Sequence, residues 1–547
     1  MTLKLDSPTL LALALTINSI IHHFIFPIEY QPDRFEKELG IGVVRNPDLS
    51  TKLDFYPQML SNEVNVYLFY SKLLEFLESL GISLTLIQFC ISTLILFLIF
   101  KISQSIFFSI LPGMCYAIVM LGFSGLLVYP DFLYTDQGFA PRQIALLSTI
   151  LAIRVYLRKG RPVQIGVVLG LGTLIHPSIG FISFLLISLG IMLFSLFSKG
   201  TSIYKIKDQL VMLLSFLTAG GWFALMVAFE QFIDQVNLSS EDLKLSTWVF
   251  SVLRLPYALF DWRQALLLAL TLALAVVSIK SSISRLNEEK ILMICLMLSS
   301  LFLYLTFVIG ITFQIPTLIS LYGIRVYNVW ILGVILFLAD FSHSYLRNRT
   351  KMLTHIDRWW NIERLQIVSK SYRVLLWVTL LIINVGLVSA ISQTQQLIKN
   401  DSQKLPMLKN LEDYFGSKLL ADQILAPTSM QIAGSIHHWK TIPRTSSDVL
   451  QWLERLDHIT SNSATEIYGI SKTPILVWDH NQYEYSAKLD LKTIEIGRDG
   501  IRSLCKKYPI RVFITPVGYN NKMSLNIIYS DVFYEAYEIK CDEFQVS

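Results

Sequence analysis

The sequence predicts a polytopic α-helical membrane protein of about 11 transmembrane helices with a C-terminal α/β extracytoplasmic domain. Three observations lead there. Of 547 residues, 53% are hydrophobic and only 16% are charged, whereas a soluble chain carries about a quarter charged residues. Apolar runs of about 20 residues recur through residues 1–393, each long enough to cross ~30 Å of hydrocarbon. Beyond residue 393 no run is long enough to cross, and strand and helix patterns alternate instead. The chain is therefore divided into a multi-span membrane domain over residues 1–393, with a large first outer loop at 29–80, and an extracytoplasmic soluble α/β domain over 394–547.

The first span is expected at 9–28. It has no small-residue cleavage site, so it is expected to be a retained span rather than a signal peptide. The loop that follows holds nine acids over 29–80, and its end at 65–80 has apolar residues at helical spacing among Lys72, Glu75 and Glu78. That pattern suits a helix lying in the interface or a partly submerged hairpin. Further spans are expected at 82–100, 106–129, 139–156, 163–175, 178–197, 210–229, 265–279, 291–313, 318–341 and 374–391. Gly166, Gly170 and Gly172 have the spacing of positions where helices approach closely. In the tail, 418–425 and 511–515 read as strands, and 447–459 and 490–507 as helices.

Loop charges orient this arrangement. Arg154, Arg158, Lys159 and Arg161 share one loop, Lys199, Lys205 and Lys207 a second, and Lys280, Arg285 and Lys290 a third. Seven more cations crowd the region from Arg347 to Arg373. Alternation puts all of these on one side, and the positive-inside rule makes that side cytoplasmic. The expectation is an integral protein of the plasma (inner) membrane, with a cytoplasmic N-terminus and an extracytoplasmic C-terminal domain.

Candidate chemistry gathers at the outer ends. Asp48 and Asp54 lie in NPDLSTKLDFYPQ of the first loop. Carboxylates at a membrane surface can take a proton from an acceptor hydroxyl or hold a divalent cation (Mg or Mn) against a phosphate. They also fit an acidic, solvated loop ordered by Pro47 and Pro57. Asp131 and Asp136 occupy the short second outer loop, and Arg142 enters the next span. Either Asp136 pairs with Arg142, or the guanidinium fork binds two oxygens of a lipid phosphate. His176 precedes Pro177 at an outer helix end and reads as an acid, base or ligand, or as the cap of a proline break. Arg325, in LYGIRVYNVW, has no acidic neighbour in sequence and needs a loop acid or a ligand phosphate as partner. Cys505 and Cys541 are able to pair if the tail lies outside.

Other chemistries leave no trace. The sequence has no Walker loop, dinucleotide fingerprint, zinc spacing or G-x-S-x-G. The net charge of +5 comes from short loops between spans and not from a basic, stacking-rich tract, so nucleic acid is not an expected partner.

Taken together, one span, an acidic outer loop, an interfacial helix, many spans and an outer α/β domain resemble the GT-C class of polytopic glycosyltransferases. NPDLSTKLDFYPQ resembles the first-loop pattern of a bacterial branch of that class. FAPRQIALLSTILAIRVYLRKGRPVQIGVVLGLGTLIHPSIG resembles its Pro-Arg and His-Pro segment, and IRVYNVW its late outer-side arginine. The resemblance covers most of residues 1–393 in layout and three short motifs in residues. It implies sugar transfer, of hexosyltransferase type, from a polyprenyl-phosphate-linked donor at the outer face. Asp48 or Asp54 would act as base, with Arg142 and Arg325 near the lipid phosphate. The first loop departs from the family pattern by lacking an adjacent Asp-Asp or Asp-x-Asp pair, since its two aspartates stand six positions apart. The alternatives are a lipid or polysaccharide transporter (flippase), and a non-catalytic membrane scaffold whose C-terminal domain binds a partner.

Overall fold

The computed structural model describes residues 6–24, 68–82, 84–123, 141–197, 206–249, 288–313, 315–320, 323–326, 329–340, 407, 409–416, 423–426, 446–460, 491–518 and 525–545, with positions 269 and 273. The chain is mostly helical. Among the described residues, four helices are long and apolar enough to cross a membrane: Leu86–Phe107, Pro177–Leu196, Lys207–Val236 and Glu288–Thr312. The spans expected at 265–279 and 374–391 lie outside the described residues, apart from positions 269 and 273.

The first elements are α1 (Ser7–Phe24), α2 (Leu68–Ser79), α3 (Leu84–Phe107) and α4 (Leu111–Phe123). Helix α1 runs antiparallel to α3. The Asn18 amide donates to the Phe89 carbonyl and to Thr93 Oγ1 (3.0 and 2.9 Å), while Lys101 donates to Ser7 at the other end. The expected interfacial helix is α2, which buries Tyr70 and Leu74 and leaves Phe76 exposed.

Proline opens the next three helices: α5 (Pro141–Leu157), α6 (Pro162–Ile175) and α7 (Pro177–Phe197). Its missing N–H would find no partner in a first turn anyway, and its φ is already helical. Helix α5 ends in a left-handed Lys159 (φ 55°), with the Gly160 N–H returning to the Val155 carbonyl at 2.8 Å. That is the usual way orphaned terminal carbonyls are satisfied.

Helix α8 (Ile206–Phe216) passes through a π-helical turn, Leu217–Gly221, into α9 (Trp222–Val236). Inside that turn Gly220 takes φ 155°, a conformation that glycine tolerates. The expected span at 210–229 is thus the middle of a longer bent helix. The glycines of α6 seat it as their spacing predicts. A Cβ on Gly166 would lie 2.4 Å from the Met212 carbonyl oxygen, and one on Gly170 2.7 Å from that of Phe216. On another face of α6, a Cβ on Gly172 would lie 1.9 Å from Ser148 Oγ of α5.

Helix α10 (Ser240–Val249) follows, then α11 (Glu288–Phe313). The span expected at 318–341 is interrupted. It comprises α12 (Pro316–Ser320), a 3-10 turn (Gly323–Val326) and α13 (Val329–Asp340). Ser300 donates its hydroxyl to the Val326 carbonyl and so satisfies backbone that the break releases. Apolar residues flank Arg325 and Asn328 on both sides, and averaged hydropathy therefore passes over the break. Tyr156, Tyr304 and Trp330 are among the largest side chains fully buried in the bundle.

In the tail a four-stranded mixed sheet has the order β1-β2-β4-β3. Its strands are β1 (Ile424–Leu425), β2 (Val512–Pro516), β3 (Ile527–Ser530) and β4 (Tyr534–Glu538). β1 pairs parallel to β2, and β4 pairs antiparallel to both β2 and β3. Alternation sends Leu425, Phe513 and Tyr537 to one face, against helices α14 (Ser446–Thr460), α15 (Arg498–Lys507) and α16 (Cys541–Gln545). Ile424, Val512, Ile514 and Ala536 face Met407 and Leu411 on the other side. A Cys505–Cys541 disulfide joins α15 to α16. The strand expected at 418–425 is described only at its end. The helix expected at 490–507 is divided near Gly497.

Candidate functional site

Side-chain register shows which helix ends lie together. Thr149 and Ser183 hydroxyls meet at 2.9 Å, and Gly190 faces the Tyr156 hydroxyl. Both contacts set α5 parallel to α7 at an offset of 34 residues. Carried to the start of α5, that offset puts Arg142 level with His176.

A second register concerns Arg325. Helix α11 and the broken α12–α13 segment run antiparallel, from the Lys290–Asp340 ion pair (3.3 Å) through Met297 against Gly333 to Gly310 against Leu318. Arg325 is then level with Leu305, eight residues from the end of α11 at Phe313. At ~1.5 Å per residue that is about 12 Å in from the helix end. The 3-10 turn packs on both α7 and α11, and Gly190 of α7 meets Leu296 of α11. Those contacts fit only if α7 and α11 are antiparallel, so His176 lies toward Gly310. Arg325 is therefore at the same end as Arg142 and His176, roughly 7 Å deeper.

The first loop is anchored at this end as well. Because α1 is antiparallel to α3, Phe24 lies away from Lys101. The chain returns at α2, where Phe69 stands edge-on to Trp222 and Phe223 (ring centroids 6.1 and 5.1 Å). Those rings follow the π turn, beside the end of α6 that leads to His176. Asp48, Asp54, Asp131 and Asp136 lie outside the described residues.

Locally, Arg142 is the second residue of α5 and is half-buried. His176 has extended backbone (φ −145°, ψ 92°), and its N–H closes α6 on the Gly172 carbonyl at 2.9 Å. Its carbonyl accepts the Gly180 N–H at 3.1 Å, and Ser178 Oγ lies 3.2 Å from its Nδ1. Its backbone thus caps a proline break, while Ser178 fixes the ring. Arg325 is half-buried in its turn.

Sequence reading missed the fully buried Gln143 beside Arg142, and the buried Thr149, Thr173 and Ser183 of the same helix seam. Single polar residues in apolar runs gave no signal beyond their presence. It also missed Asp234, near the end of α9, whose carboxylate accepts the N–H of Ser447 at 3.3 Å as well as its hydroxyl. This contact caps the start of α14. With Leu245 of α10 packed on the tail's core, it docks the sheet and its helices at the end of the bundle that holds His176.

The opposite end of the bundle carries Lys101, Arg154, Arg158, Lys159 and Lys290, the last two paired with Glu288 and Asp340. Among the described residues, no group of three or more His, Cys, Asp or Glu is placed to hold a metal ion. Compared with known proteins, the chain matches no family model and no curated relative.

Proposed function

We propose that the protein is a GT-C-like integral membrane glycosyltransferase. It transfers a sugar from a polyprenyl-phosphate-linked donor at the membrane face opposite the basic loops. One observation carries this reading: two half-buried arginines from separate elements, Arg142 and Arg325, share one helix end with His176 and with both anchors of the acidic first loop. Arginines placed at a membrane end mark candidate ligand sites, and a planar guanidinium suits phosphate oxygens. The broken segment around Arg325 supports it further, because irregular backbone at membrane depth belongs in protein interiors or at wet cavities.

In this reading Arg142 and Arg325 bind the donor phosphate, and His176, Asp131 and Asp136 line the approach. Asp48 or Asp54 accepts the proton of the acceptor hydroxyl, alone or with a bound Mg or Mn. About 11 spans put the N-terminus in the cytoplasm, and the tail forms an extracytoplasmic α/β domain. Asp48→Asn, Asp54→Asn and Arg325→Ala are each expected to abolish or strongly reduce the surface glycan the protein makes. If all three leave that glycan intact, the assignment fails.

Docking of the tail through Asp234 and Ser447 favours a second reading, a membrane scaffold whose tail binds a partner. Deleting residues 394–547 separates the two. The scaffold reading requires loss of partner binding together with unchanged lipid-phosphate binding by the membrane part.

A further inference from the structure

The basic end of the bundle contains two kinds of cation. Lys159 pairs with Glu288, and Lys290 with Asp340. Lys101, Arg154 and Arg158 form no ion pair among the described residues. They nevertheless stand close enough for the charges of Arg154 and Arg158 both to act on Lys101, and that of Arg158 on Arg154. Among the described residues Asp6 is the acid whose charge reaches Lys101, and its carboxylate is engaged by Thr9 at the start of α1.

Burial makes the arrangement costly. Arg158 is exposed, but Lys101 and Arg154 are half-buried within α3 and α5, before those helices end. Arg154 Nη1 is a buried donor with no hydrogen-bond partner among the described residues. Ser188 Oγ, also buried and unpartnered among them, stands level with Arg154 by the offset that relates α5 to α7. Helix-dipole attraction explains cations in the last turn of α5. It does not explain a second helix adding Lys101, or a guanidinium N–H left buried without an acceptor.

We propose that Lys101, Arg154 and Arg158 bind a phosphate group, presented by an anionic lipid headgroup or as the free ion. The site lies at the opposite end of the bundle from Arg142 and Arg325 and is independent of the proposed reaction. One phosphate oxygen accepts from Arg154 inside the bundle, and the others face Lys101 and Arg158 toward the water.

The test uses the full chain in nanodiscs of phosphatidylcholine, with or without phosphatidylglycerol, and counts the lipid retained by native mass spectrometry. A second arm adds inorganic phosphate to pure phosphatidylcholine discs and follows the melting temperature. Wild type is expected to retain phosphatidylglycerol, with retention about tenfold weaker in Arg154→Gln and in Lys101→Gln. Arg161→Gln, an exposed charge at the same end, is expected to match wild type. Stabilisation by inorganic phosphate that disappears in the same two variants identifies the free ion as a ligand of the same site. Equal retention of both lipids, together with no response to phosphate, overturns the proposal. So does an equal loss in Arg161→Gln and Arg154→Gln. If Arg154→Gln does not fold, Lys101→Gln and Arg158→Gln decide by the same readouts.

Discussion

Replacing Gly166 by Ala tests the helix seam on which the geometry of the His176 end depends. The added Cβ would lie 2.2 Å from Ser215 Oγ, 2.4 Å from the Met212 carbonyl oxygen and 2.9 Å from the Phe216 nitrogen. The hydroxyl can rotate away, but the two backbone atoms cannot. Carbon contacts are comfortable at about 3.5 Å, so α6 and α8 must separate by roughly 1 Å. Overpacking of this kind costs about 1–3 kcal/mol, and rigid backbone on the far side puts Gly166→Ala near the top of that range. In a chain of this size the melting temperature should fall by roughly 3 °C. Thermal unfolding in detergent at one fixed scan rate measures it, since irreversible unfolding makes the midpoint depend on rate. Adding Ser215→Ala should restore little, because the carbonyl clash remains. Gly497→Ala, where nothing lies within 4 Å, is the control. A Gly166→Ala protein that melts with wild type would refute the close approach of α6 and α8.

Three further outcomes follow from the tail. Asp234→Ala removes the cap of α14 at a cost of about 1 kcal/mol, so amides at 446–450 should exchange faster while those of β2 do not; unchanged exchange would count against the docking contact. Burial first, and then Lys507, hold His458 below its ordinary value of 6.5, against the raising effect of Glu454 and Asp457. The unfolded chain then binds a proton that the folded tail resists, so stability is full above about pH 6.5 and falls as the pH drops below it. His458→Gln should flatten that dependence, and a wild-type tail equally stable at about pH 7.5 and about pH 5.5 would contradict it. In denaturant without reductant three thiols should react, at Cys90, Cys115 and the buried Cys295, whereas a count of five would exclude the Cys505–Cys541 bond. The bond closes a separation of 36 residues, and its removal should cost about 3–4 kcal/mol.

Hydropathy made the membrane character legible because burial in lipid demands unbroken apolar runs, and proline marked where α5, α6 and α7 begin. Small-residue spacing at Gly166 and Gly170 foretold a close helix contact, but not that its partner would be α8. The interruption at Gly323–Val326 was hidden, because its stabiliser is Ser300 on another helix. Asp234 looked like an ordinary acid at a helix end, since its role depends on Ser447, more than 200 positions away. Amphipathic α14 was readable within a residue or two at each end. On the candidate site, local sequence could nominate Arg142, His176 and Arg325, but their placement at one end of the bundle comes from registers between helices distant in sequence.

The central claim is that the Arg142–Arg325 end recognises a lipid phosphate, and binding of farnesyl phosphate to the purified protein tests it most directly. Wild type should bind saturably, and Arg142→Gln and Arg325→Gln should each weaken binding about tenfold or more. Arg154→Gln, at the opposite end, should leave that binding as it is. Binding that is absent in wild type, or unchanged in both Arg142→Gln and Arg325→Gln, would contradict the claim.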